Sequence, residues 1–98
     1  MVAGDAPAER RLEALLIWAG AVADSGDLDA ARAVLRRADK DLVDAAGEAA
    51  RDRLTYVAGD LAARAGDTTG ARRAFQRLVD TSEDPYDAEE RLSALPNG

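Results

Sequence analysis

The sequence predicts an all-α fold, two stacked antiparallel helical hairpins followed by a C-terminal capping helix, and three observations carry that expectation. A Gly-Asp joint occurs twice, in Ala23-Asp24-Ser25-Gly26-Asp27-Leu28 and in Ala63-Arg64-Ala65-Gly66-Asp67-Thr68. Apolar residues on either side of each joint recur three and four positions apart, the period of a helix with one buried face. Aromatic residues are scarce, at 4% of the chain, while Ala, Leu, Arg and Glu abound, a balance that favours helix over strand.

Each joint has a physical logic. Glycine enters the left-handed conformation that ends a helix, and the aspartate after it accepts backbone N–H bonds at the start of the next. Two joints therefore give two hairpins, one over about residues 7–46 and one over about 47–80, with the cap over about 84–95. The chain of 98 residues suits one small domain, 1–98, which buries roughly 60 to 68% of its unfolded surface.

Met1 to Ala6 reads as a frayed end, and Pro7 suits a first helical turn, where its missing N–H is not needed. Helix one runs from about Pro7 to Ser25, with Leu12, Leu15, Leu16, Ala19, Val22 and Ala23 on its apolar face. Ile17 and Trp18 widen that face, so Trp18 is expected to be at least half buried, covered by helix three or by another subunit. Helix two follows the Asp27 cap as one unbroken helix to Ala45–Gly47, burying Leu28, Ala31, Leu35, Ala38 and Leu42. Helix three, about Glu48 to Ala65, turns Leu54, Val57, Ala58, Leu61 and Ala65 inward. Helix four follows the Asp67 cap and buries Ala71, Ala74, Phe75 and Leu78. Asp84-Pro85 forms an N-cap and first-turn pair for a fifth helix through Leu95, with Ala88, Leu92 and Leu95 inside and Pro96-Asn97-Gly98 as its stop.

Composition narrows the function. A formal charge of −6 opposes general affinity for phosphate backbones, so no nucleic-acid partner is expected. The arginine pairs Arg36-Arg37 and Arg72-Arg73 read as solvated helix faces. The longest apolar run, Ala14 to Ala23, is half of the roughly 20 residues a membrane span needs. No basic segment precedes it, and a cytoplasmic protein without a membrane partner is expected. With no histidine and no cysteine, the commonest general base, thiolate nucleophiles and nitrogen- or sulfur-ligated zinc are excluded. Ser25, Ser82 and Ser93 lack a basic activator. Asp24, Asp27 and Asp29 have the wrong spacing for a calcium loop, and helix capping accounts for them. Asp80, Glu83 and Asp84 read as a solvated turn. No enzyme activity, cofactor or metal is expected.

Gly26 and Gly66 lie 40 positions apart, and at that shift Arg11 matches Arg51, Ala23 Ala63, Asp27 Asp67, Ala31 Ala71, Arg32 Arg72 and Arg37 Arg77. Gly59, Gly66-Asp67, Ala71, Phe75 and Pro85 in the second unit, with Ala19, Gly26-Asp27, Ala31, Leu35 and Ala38 in the first, resemble the signature of the tetratricopeptide repeat family. The resemblance spans roughly Leu12 to Pro85 and implies a right-handed array. The early large aromatic of that family is replaced by Leu15 and Thr55, with Trp18 one turn later. The period exceeds the family's usual 34 or so, and the surplus is assigned to lengthened helices two and three around Gly47.

The resemblance also implies a function: a protein-interaction module, an adaptor or scaffold that holds a peptide against the inner faces of the first helix of each hairpin. Those positions are Glu13, Leu16, Gly20 and Ala23, and Arg53, Tyr56, Asp60 and Ala63. Glu13, Leu16, Arg53, Tyr56 and Asp60 are the expected partner-binding residues, with Leu16 as apolar floor and Tyr56 and Arg53 of types enriched at binding hot spots. The competing structural account half-buries Tyr56 and pairs Arg53 with Glu13. No Lys and Asn pair stands where a carboxylate clamp requires one. Two other functions remain open. One is a self-associating bundle with the Ala14–Ala23 helix as a homodimer seam. The other is a small helix-turn-helix regulator, which the acidic balance disfavours.

Overall fold

The computed structural model describes residues 7–96, and over them the chain is helical, with six helices and no strand. The frayed end expected over Met1–Ala6 and the last two residues of the stop signal, Asn97 and Gly98, lie outside the described residues. In order the helices are α1 (Pro7–Asp24), α2 (Leu28–Leu35), α3 (Lys40–Ala46), α4 (Glu48–Arg64), α5 (Thr68–Thr81) and α6 (Ala88–Ala94). α1 packs on α2, α3 and α4; α4 packs on α1, α2, α3 and α5; α6 rests on α5. The result is elongated, with extents of 51 × 31 × 19 Å.

Both joints form by the expected chemistry. Gly26 and Gly66 take φ of 101° and 83°, values that suit a residue without Cβ. The Asp27 carboxylate then accepts from the Ala30 N–H at 3.0 Å and that of Asp67 from the Gly70 N–H at 2.9 Å. Asp67 has a further role, because its other oxygen accepts from the Arg32 guanidinium of α2 at 2.8 Å. The repeat-equivalent Arg72 likewise reaches forward, donating to the Pro96 carbonyl at 2.8 Å. Two arginines on polar helix faces therefore tie each hairpin to the next part of the chain.

The Gly70 N–H and, after it, the Arg32 guanidinium hold the Asp67 carboxyl below its ordinary value of 3.8. A depressed folded value means that its stabilisation is complete above the unfolded value and lost as pH falls through the folded one. Asp67→Asn keeps a capping side chain and removes the charge. It is expected to lower the urea midpoint at pH 7 and to match the parent once both are acidified below the lowered value. An equal deficit at both ends of the titration would show that the Arg32 pair contributes nothing.

Helix two departs from expectation, because it is two helices. α2 ends at Leu35 and tightens through three-residue bonds, Arg37 N–H to Val34 O and Ala38 N–H to Leu35 O, both 3.0 Å. Asp39 is extended, and its carboxylate accepts from the Leu42 N–H at 2.8 Å, capping α3. An aspartate inside a helix competes for backbone donors in this way, and the new direction carries Leu42 into the core, 7% exposed, as α3 packs on α1. The surplus of the period is thus housed in a separate short helix, which Gly47, at φ 99°, ends.

The last helix also starts later than Asp84-Pro85 suggests. Pro85 and Tyr86 form a turn, with Tyr86 at φ 57° and the Ala88 N–H donating to the Pro85 carbonyl at 3.0 Å. Ala65, expected inside, is exposed, because it caps the end of α4 beside the joint.

The core has two clusters. Leu16, Ala19 and Ala23 of α1 meet Ala31, Val34 and Leu35 of α2 and Leu61 of α4. Ala62 of α4, Ala71, Phe75 and Leu78 of α5, and Ala88 of α6 form the other. Ala31 and Ala71 are fully buried, as their place one turn into the second helix of each hairpin requires. Trp18 is 45% exposed, so slightly more than half is covered. Its cover includes the Arg37 guanidinium, 5.1 Å from the ring centroid, which the α2–α3 link brings there.

Candidate functional site

The expected binding residues fall into two groups along α1 and α4. At the first group Glu13 of α1 faces Arg53 of α4, with oxygen and nitrogen 3.8 Å apart and both side chains about half exposed, 49% and 47%. The contact is loose, and pairs of this kind add little stability. Leu16, one turn from Glu13, is only 6% exposed and belongs to the core. Leu16, expected as the apolar floor, is thus packed into the core instead, and a ligand on this face would meet Glu13 and Arg53. Gly20 is half-buried and Ala23 buried, which leaves this part of the face flat.

The second group is already engaged. The Tyr56 hydroxyl donates to the Asp87 carboxylate at 2.5 Å and accepts from Arg91 Nη1 at 3.1 Å. Arg91 Nη2 donates to the Asp60 carboxylate at 2.9 Å, and Arg64 approaches its other oxygen at 3.6 Å. The tyrosine ring meets Phe75 edge-on at 5.6 Å and Tyr86 at 5.2 Å. Arg91 lies over the Phe75 ring, 4.9 Å from its centroid, a favourable seat for a cation. The Asp87 carboxylate, with burial behind it, raises the Tyr56 hydroxyl above its ordinary range, and the Asp60 carboxylate raises the Arg91 guanidinium. The raised Tyr56 hydroxyl is therefore a neutral phenol at neutral pH, and the Arg91 guanidinium beside it a cation.

The local sequence explains the arrangement. Tyr56 and Asp60 are four apart on α4 and share a face, while Gly59 between them is buried and lets α5 come close. A Cβ on Gly59 would lie 3.0 Å from two atoms of the Phe75 ring and 3.1 Å from the Ala74 methyl. That approach sets Phe75 behind Tyr56 and fixes its plane. Arg91, Asp87 and Tyr86 are the members that sequence reasoning misses. A partial signal exists, since Arg91 stands three residues after the buried Ala88 and four before Leu95, on the edge of that helix's inner face.

An open cleft of about 640 Å³, which Tyr86 joins to the cluster around Tyr56, lies between the start of α4 and the end of α5. Glu48 and Asp52 line one side and Arg77, Glu83 and Asp84 the other, so its walls are polar and of both signs. Among the described residues no group of three or more acidic side chains is gathered closely enough to hold a metal ion. Nor, among them, is any helix long and apolar enough to cross a membrane. Compared with protein families, with curated proteins and with solved structures, the chain finds no match.

Proposed function

We propose that this chain is a non-catalytic protein-interaction module of the tetratricopeptide-repeat type, two stacked hairpins with α6 as cap. It takes an extended partner segment along α1 and α4 at Glu13 and Arg53, over the buried Leu16, and the segment reaches Tyr56 and Asp60 by displacing Asp87 and Arg91. The observation behind this is that α4 already holds a segment of chain there. Tyr56 and Asp60 receive Asp87 and Arg91, which come from a short separate helix and its leading turn. A face with this set of donors, acceptors and aromatic edges is equipped to hold another segment, and the adjoining Glu13–Arg53 pair keeps most of its hydrogen-bonding capacity unused.

The packing supports the repeat reading, since α4 lies against both helices of the first hairpin, as the first helix of a second repeat does. The charges favour a peptide carrying both signs over a polyanion. A cytoplasmic adaptor fits an acidic chain without cysteine.

Panning a mixed-charge peptide library against the chain tests the proposal. For the peptides recovered, Glu13→Ala combined with Arg53→Ala is expected to raise Kd by about 30-fold, the effect of losing one hot spot. Far-UV circular dichroism should not change, both residues being surface groups. Peptides that bind the double variant as tightly as the parent would move the interface elsewhere.

A further inference from the structure

On the side of α1 turned away from α4 and edged by the α2–α3 link, whose Arg37 lies over the Trp18 ring, Ala14, Ile17, Trp18 and Ala21 are exposed, Ile17 by 65% and Trp18 by 45%. Their spacing of three and four makes one stripe along the helix. Its residues read the same in both directions by size: small, large, large, small. The charges at its ends do not. Arg10 and Arg11 stand at the N-terminal end, and Asp24 stands at the other with its side chain 82% exposed and Arg64 no nearer than 3.8 Å.

We propose that this stripe is a docking surface for a second copy of the chain, with the two α1 helices antiparallel about a two-fold axis near Ile17 and Trp18. An isologous contact requires that if one position meets another, the second also meets the first. The stripe meets that condition. Ala14 of one copy faces Ala21 of the other, the small pairs let the helices approach, and the large residues meet at the centre. The same rotation sets Arg10 and Arg11 of each copy against Asp24 of its mate at both ends. Parallel pairing would instead set arginines against arginines and Asp24 against Asp24. The antiparallel arrangement also opposes the two helix dipoles favourably. Charge complementarity thus selects both the occupant and its orientation. This surface is distinct from the Glu13–Arg53 face and does not depend on peptide binding there.

The seam is one helix wide, so its area falls at the small end of specific interfaces and the dimer is a weak one. Sedimentation equilibrium of the full chain should show the 10.3 kDa monomer mass at low concentration and approach twice that value near about 1 mM. Ile17→Lys is expected to hold the monomer mass throughout with unchanged helicity, since the site is at the surface. The orientation is tested by two charge variants, Arg10→Asp with Arg11→Asp in one chain and Asp24→Arg in another. Each alone places like charges at both ends and is expected to stay monomeric. Mixed in equal amounts they are complementary at both ends and should dimerise. A parent chain that stays monomeric at about 1 mM, a dimer that survives Ile17→Lys, or charge variants that dimerise alone as well as mixed would each overturn the proposal.

Discussion

Replacing Phe75 with alanine is expected to remove a large part of the chain's stability. Phe75 is fully buried and is the largest side chain of the second cluster. It touches the Gly59 position across the α4–α5 contact, takes the edge of Tyr56, and carries the Arg91 guanidinium on its ring. Truncating a buried phenylalanine costs about 3 to 5 kcal/mol, against a total of roughly 5 to 15 kcal/mol for a domain of this size. Arg91 would also lose its aromatic seat while its charge stayed half-buried beside Asp60. Urea denaturation followed at 222 nm measures the loss, and Phe75→Leu should recover more than half of it. A midpoint within error of the parent would mean that α5 and α6 are not held through this ring.

Gly59→Val should have the next largest effect. A Cβ there already meets ring carbons at 3.0 Å, and valine adds two methyl groups whose χ1 choices inside a helix are few. The α4–α5 pair must then part, at a cost near the top of the overpacking range, about 3 kcal/mol. Gly59→Ala separates sterics from backbone effects. Alanine gains about 1 kcal/mol of helix propensity and needs the ring to yield only slightly, so the two nearly cancel. Thermal midpoints of the three proteins should therefore rank glycine and alanine together, well above valine. A stable valine variant would disprove the close approach of α4 and α5.

The two joints are legible because each is encoded by adjacent residues, Gly26-Asp27 and Gly66-Asp67, whose backbone preference and capping chemistry act within four positions. The break between α2 and α3 is hidden by its own periodicity. Leu35, Ala38 and Leu42 continue at helical spacing straight through it, so the apolar stripe reads as one helix. Only Asp39 announces the turn, and an aspartate is equally common as a solvated helix residue. The start of α6 is obscured for a different reason: Asp87 stands at the cap position but spends its carboxylate on Tyr56. That contact spans 31 positions, and no local rule reaches across such a distance. The same limit applies to the candidate site. Glu13 and Arg53 stand 40 positions apart, the shift between the two joints, and so are legible as a facing pair, whereas the capture of Tyr56 and Asp60 by Arg91 depends on where a separate helix comes to rest.

Leu61 and Ala62 are neighbours in sequence, yet one belongs to each core cluster, which makes α4 a party wall. Opening the α1–α2 side bares one flank of it, and opening the α5–α6 side bares the other, but its backbone stays wound until both have gone. Amide protons in the middle of α4 should thus be released to solvent deuterium only by complete unfolding, while those of the short α3 and α6 escape through small local openings. Heat or denaturant would meet a chain that loosens from its ends and holds at its middle, so that the last helix to melt is the one that both clusters share.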